Sequence, residues 1–503
     1  MIKSIYKAYS TSLLGIFSGL LSQLVFIREL VHSVSSDQFA LYAFAFQVVT
    51  YMSILQLGLD FASSREIAIR LGQKNYKGAC ESFLFIKKFN NKICIVGLLV
   101  ILSCSLFFYY GIGVSIKFNH LIAAKLILLF GLSMVINFLS NPSIVALIGS
   151  NLQSKVNINN IVVTIATTCA AFFLLKTTSL GLFSMPLALI VFNLINLFIL
   201  RNKAYRFCSE WLNNDNSFEI PLHYRNSIIK FAVITTIGGA AWTIEATSDV
   251  FILSGTGYIE LVGIYVLWWR FPQMFFDMAT RLTNSALPSL NSSFGRSEEQ
   301  SKNIFNKLLI VVGGVGFCFY VGIANWLPAF INLWIGKRFL LDESHFNSLL
   351  IGMLVYSRVV GNCLGMYTIT IGQVNYSATL SWIQAFVKVV IAIILVKHMG
   401  IVGLFIASLV GSLLQILGST FLLIKRNLLR IDVLLLIIFG LLAPAILLFL
   451  NISERYSILN FSIGTLTTIA LASIIWILFV RILSLNKKLN FSFSPKVFLN
   501  SFK

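Results

Sequence analysis

Apolar runs of roughly 20 residues, separated by short polar or Gly/Pro-containing breaks, recur along the whole chain. A helix rises about 1.5 Å per residue, so such a run matches a hydrocarbon core of roughly 30 Å. The breaks predict fourteen transmembrane helices, near 8–28, 39–59, 86–110, 121–140, 156–175, 180–200, 229–254, 259–283, 305–330, 345–369, 374–396, 400–424, 432–450 and 459–482. The first follows Lys3 and Lys7 and ends in Arg28-Glu29 with no small-residue cleavage site. It is too long for the apolar core of a signal peptide and is read as retained.

The same pattern carries a repeat. Lys7 and Lys230 open spans 1 and 7, 223 residues apart, and "FALYA" (39–43) matches "VGIYV" (262–266) with Tyr42 and Tyr265 in register. "LIGSN" (147–151) answers "TIGQV" (370–374) at the same offset, and "GLF" at 181 recurs at 403. Each match is weak by itself, but the shared register is not. The expected organisation is a six-helix lobe over 1–205, a cytoplasmic linker over 206–228, a second lobe over 229–428, and an added hairpin with a basic tail over 429–503. Parallel repeats of this kind are related by an axis along the membrane normal.

Composition agrees with an all-α polytopic membrane protein. Of 503 residues, 57% are hydrophobic and 11% charged, against about a quarter charged in soluble domains. The net charge of +20 would suggest nucleic acid in a soluble protein; here it sorts by side instead. With the N-terminus inside, inner segments carry 26 of the 38 Lys and Arg, outer segments 8, and spans 4. The positive-inside rule therefore places both termini in the cytoplasm, with short outer connections that leave no room for an outer enzymatic domain. Seven scattered cysteines and five scattered histidines show no metal-ligand spacing, so neither a metal nor another cofactor is implied.

Three stretches carry a family resemblance. "SSDQFALYAFAFQVVTYMSILQLGLDFASSREIAIRLGQ" (35–73), "SDVFILSGTGYIELVGIYVLWWRFPQ" (248–273) and "LPAFINLWIGKRF" (327–339) resemble bacterial polysaccharide flippases, within the multidrug, oligosaccharidyl-lipid and polysaccharide exporter superfamily. The match is best to the O-antigen and capsule repeat-unit branch and extends over roughly residues 1–430. The resemblance implies a V-shaped bundle in the bacterial inner membrane that moves an undecaprenyl-diphosphate-linked oligosaccharide between leaflets, with polysaccharide polymerase and chain-length proteins as partners. The stretch "LDFASS" (59–64) falls where members of the family vary too much to imply a role, and Glu245 beside Asp249 is not a feature of the family pattern.

Charges inside the spans mark where function would lie, because each costs roughly 2.5–3.5 kcal/mol on insertion scales unless protein or water receives it. Arg270, Glu245, Arg358 and Lys388 all fall near mid-span. Arg270, Asp277 and Arg281 share one helical stripe, and Glu245 and Asp249 lie one turn apart. A lipid diphosphate needs cations that stay charged when dehydrated, which selects Arg270, Arg358, Lys388 and Arg281. Gln23, Gln47, Asn137, Asn362 and Gln384 are candidates for sugar hydroxyls. Asp249, Glu245 and Asp277 are candidates for coupling to H⁺ or Na⁺.

Each has a plainer alternative. Arg281 near a span end can snorkel. Glu245 with Arg270, or Asp249 with Lys388, can be inert pairs that fix packing. The amides can be interhelical hydrogen bonds, and Trp268-Trp269 ordinary packing. Two rival functions remain: a cation-coupled multidrug exporter of the same fold, whose cavity should be acidic and aromatic, and a polysaccharide polymerase or ligase, which needs a large outer loop.

Overall fold

The computed structural model describes residues 2–56, 63–64, 66–68, 70–71, 73–111, 119–209, 222–342, 344–447, 470, 472–478 and 480–481. Its helices are α1 (Ile2–Ser33), α2 (Ser36–Thr50) with a 3₁₀ turn (Tyr51–Leu55), α3 (Tyr76–Tyr109), α4 (His120–Gly149), α5 (Gln153–Thr177), α6 (Ser184–Phe207), α7 (Leu222–Gly255), α8 (Ile259–Arg296), α9 (Glu298–Ile335), α10 (Ser344–Thr370), α11 (Val374–Met399), α12 (Ile401–Lys425) and α13 (Ile431–Leu447). A further helical segment lies within 470–481. Every span expected from the apolar pattern coincides with one of these, although most of the expected last span lies outside the described residues. No strand occurs among the described residues.

Among the described residues, ten helices are long and apolar enough to cross a membrane. Helices α7 and α8 carry Glu245, Asp249, Arg270, Asp277 and Arg281.

The chain forms two compact units, divided between Gly263 and Ile264 in the first turns of α8. In the first, α3 packs on α4, α4 on α6, and α5 on α6. In the second, α9 packs on α10, α10 on α12, and α11 on α12. These are the same three pairings six helices later, the structural form of the repeat. Helix α7 packs within the first unit, against α2 and the 3₁₀ turn.

Close helix approaches depend on glycine in both units. A Cβ at Gly131 of α4 would stand 2.6 Å from Ile101 of α3, and one at Gly352 of α10 would stand 2.9 Å from the Tyr320 carbonyl of α9.

The helix ends correct the register of the repeat. At the end of α4, Leu152 N–H bonds Leu147 O at 2.8 Å and Asn151 has φ 60°. At the end of α10, Gln373 N–H bonds Thr368 O at 3.0 Å and Gly372 has φ 80°. Both are Schellman caps, whose left-handed position accepts Gly or Asn. The equivalent residues are thus Asn151 and Gly372, and at this turn the offset is two residues shorter than the letter match of "LIGSN" with "TIGQV" suggests.

Polar groups inside the first unit answer one another. Pro142 interrupts α4 and has no N–H for the Phe138 carbonyl one turn back. Asn90 of α3 donates to that carbonyl at 2.9 Å, Gln56 donates to Asn90 Oδ1 at 3.0 Å, and Asn141 donates to Gln56. The last two helical pieces both serve the second unit. Helix α13 packs on α9 and α10, with Tyr356 donating to Ile437 O at 3.3 Å, and Trp476 packs in a tilted arrangement against Phe317 of α9, ring centroids 5.4 Å apart.

Candidate functional site

The ionisable groups fall into two sets, one in each unit. In the first, Glu245 and Asp249 of α7 are 4% and 2% exposed. Thr243, Thr247 and Ser248 are buried with them, so this stretch of α7 is polar and yet enclosed. Thr243 and Thr247 turn their hydroxyls back onto their own helix, donating to Gly239 O and Thr243 O. Tyr51 of the 3₁₀ turn hydrogen-bonds Thr247 and lies within electrostatic reach of Asp249. Its ring meets Phe251 edge-on at 5.0 Å, and Phe44 packs against the same Phe251 ring at 5.6 Å. The expected turn at Gly255-Thr256-Gly257 is present: Gly257 has φ 88°, and Tyr258 N–H bonds Leu253 O at 3.0 Å.

In the second unit Arg358 of α10 is 7% exposed and Lys388 of α11 fully buried. The Arg358 guanidinium lies 4.8 Å from the ring centroid of Trp269, so α8 supplies a flat aromatic face to a dehydrated cation. Trp268, next in sequence, is fully buried and donates its indole N–H to Phe339 O at 2.8 Å. The tryptophan pair is therefore divided between packing and charge. Arg270, adjoining Trp269, is half-buried.

Lys388 and Gln384 lie one turn apart on α11, both buried, and Gly411 of α12 makes room for them. A Cβ there would stand 3.2 Å from Lys388 Cβ. One turn further along α12, Gln415 abuts Gly361 and Gly365 of α10, with 3.2 Å and 3.3 Å to a Cβ built at each. Helix α12 thus touches both the helix of Lys388 and the helix of Arg358 and Asn362. Asn362 is half-buried.

The remaining candidates are placed less centrally. Asp277 is half-buried and accepts from Gln273 at 3.0 Å. Arg281 is exposed, three turns along α8 from Arg270. Gln23 and Asn137 are exposed and Gln47 half-buried. The amides that the fold buries in the first unit are others: Gln56, Asn90, Asn141, Asn159 and Asn196. Of these, Asn90 and its partners are signalled in the sequence by Pro142, which frees a carbonyl. Tyr51 has no such signal.

No family model matches the sequence, and no curated protein matches it. Solved structures do. The lipid II flippase MurJ, in an inward closed conformation, matches 96% of this chain and 100% of its own with a TM-score of 0.70 and 15% identity. An inward-facing multidrug resistance MATE family transporter of the MOP superfamily matches 83% of this chain and 98% of its own, at TM-score 0.68 and 13% identity. A MOP superfamily transporter from Pyrococcus furiosus, described as having a binding pocket of reverse polarity that suggests a different function, matches 83% and 94% at TM-score 0.61 and 15% identity. The chain has the all-helical, multi-pass fold of the MATE and MurJ transporters.

Proposed function

We propose that this protein is a flippase that carries an undecaprenyl-diphosphate-linked oligosaccharide from the cytoplasmic to the outer leaflet of the bacterial inner membrane. The observation that carries the reading is the pair of buried cations in the second unit, Arg358 on the face of Trp269 and Lys388, with half-buried Arg270 next to Trp269 in sequence. Placing fixed positive charge inside a membrane protein is costly. A substrate with two or more negative charges in its headgroup matches cations kept there, and a planar guanidinium already oriented by an aromatic ring can present paired donors to phosphate oxygens. In this scheme Arg270, Arg358 and Lys388 hold the diphosphate. Asn362 and Gln384, one turn from Arg358 and Lys388, meet sugar hydroxyls in this scheme. Glu245 and Asp249 exchange H⁺ or Na⁺ as the cycle alternates access.

The buried carboxylate pair on α7 favours a second reading, a cation-coupled multidrug exporter of the same fold. The two readings separate by deletion. Loss of this protein from its native cell should leave undecaprenyl-linked repeat units on the inner leaflet and strip surface polysaccharide. Normal polysaccharide with heightened sensitivity to organic cations would select the exporter.

A further inference from the structure

A second cationic site lies far from these residues in sequence, at the shared end of α5 and α6. Here a cavity of about 470 Å³ is lined by Lys155, Ile158, Ile199, Asn202, Lys203, Arg206 and Phe207. Lys155 stands in the first turn of α5, and Lys203 and Arg206 in the last turns of α6. No Asp or Glu occurs anywhere between Glu81 and Glu210. None of the three cations forms an ion pair among the described residues. Among the described residues, their neighbours orient them without neutralising them. Lys203 donates to Asn159 Oδ1 at 2.9 Å, and Asn159 in turn donates to Asn196. Lys155 Nζ and the Arg206 guanidinium lie 5.1 Å and 5.8 Å from the centre of the Phe207 ring. The start of α5, the positive end of its dipole, has no side-chain cap.

Three like charges and a helix start converging on one cavity repel one another until an anion enters. The walls say which kind: Ile158, Ile199 and Phe207 give the cavity an apolar side, and the charge count assigns this end to the cytoplasmic face. Basic pockets between transmembrane helices on that face take lipid headgroups. We propose that this cavity binds the phosphate of an anionic phospholipid of the inner leaflet, with Lys155, Lys203 and Arg206 on the phosphate and an acyl chain along Ile158 and Ile199. The site belongs to the first unit and does not depend on the transport reading.

The test uses full-length protein in nanodiscs of phosphatidylcholine doped with phosphatidylglycerol, with retained lipid counted by native mass spectrometry. The wild type should hold one phosphatidylglycerol in preference to phosphatidylcholine. K155Q/R206Q, which leaves the Lys203–Asn159 bond in place, should bind it about fivefold more weakly per cation removed. K155R/R206K should retain it, which separates loss of charge from loss of fold. Equal retention by K155Q/R206Q and wild type would overturn the proposal. So would displacement of the lipid by millimolar inorganic phosphate, which would make this a site for the free anion.

Discussion

Arg358 of α10 lies against Trp269 of α8, guanidinium to ring centroid 4.8 Å, although 89 positions separate them in the chain. Neither residue alone identifies a site. Together they give a cation that is dehydrated, oriented and in contact with the helix that also carries Arg270.

Arg358→Ala should abolish surface polysaccharide while leaving protein abundance in the membrane within about twofold of wild type. Arg358→Lys should restore export only in part, because an ammonium lacks the planar fork. Trp269→Leu removes a contact worth about 0.5–2 kcal/mol and should lower export less than Arg358→Ala does. Export assays with immunoblots of membranes check all three, and normal export by Arg358→Ala would remove the cationic set from the substrate path.

Neutralising the α7 carboxylates separates coupling from packing. Asp249→Asn should remain abundant, bind substrate and lose its response to an imposed pH or Na⁺ gradient in vesicles; Glu245→Gln should do so less completely. If either carboxylate is instead half of a structural pair, its variant strands a buried charge at about 3–5 kcal/mol and the protein should be degraded. Gradient-dependent export by both variants would leave these groups with no coupling role.

Asn90→Leu should destabilise the first unit by about 1–3 kcal/mol, since it leaves the Phe138 carbonyl and the Gln56 amide without their buried partner. Pairing it with Pro142→Ala, which returns an N–H for that carbonyl, should recover part of the loss. Thermal unfolding in detergent reads both, and an unaffected Asn90→Leu midpoint would show that the Phe138 carbonyl is satisfied in another way.

Topology is open to a chemical check. Cysteines placed at Lys337 and Arg455 should react with an impermeant thiol reagent in intact cells, and cysteines at Lys77 and Ser297 should not. Labelling of both sets would break the fourteen-span arrangement.

The span pattern was legible because hydrocarbon imposes one length on every crossing helix, and α1 to α13 coincide with apolar runs visible in the letters. The six-helix repeat was legible too, but its register was not, since apolar letters interchange freely whereas the left-handed cap at Asn151 and Gly372 does not. The charges of the site were legible as anomalies: Glu245, Asp249, Arg358 and Lys388 are all buried. What the letters could not show was company. Trp269 under Arg358, Gly411 beside Lys388 and Tyr51 beside Thr247 are contacts across helices distant in sequence. Gln23, Gln47 and Asn137, read from the sequence as candidates for sugar hydroxyls, lie outside the buried amide network, which runs through Gln56, Asn90 and Asn141 because Pro142 creates its demand there.

The central claim is tested most directly by reconstituting the purified protein in liposomes that hold undecaprenyl-diphosphate-linked oligosaccharide in the inner leaflet, and timing its exposure to an external lectin or glycosidase. Wild-type protein should expose the sugar much faster than empty liposomes, Arg358→Ala should not, and an organic cation should be moved by neither. Exposure at the rate of empty liposomes, alongside transport of the organic cation, would contradict the account.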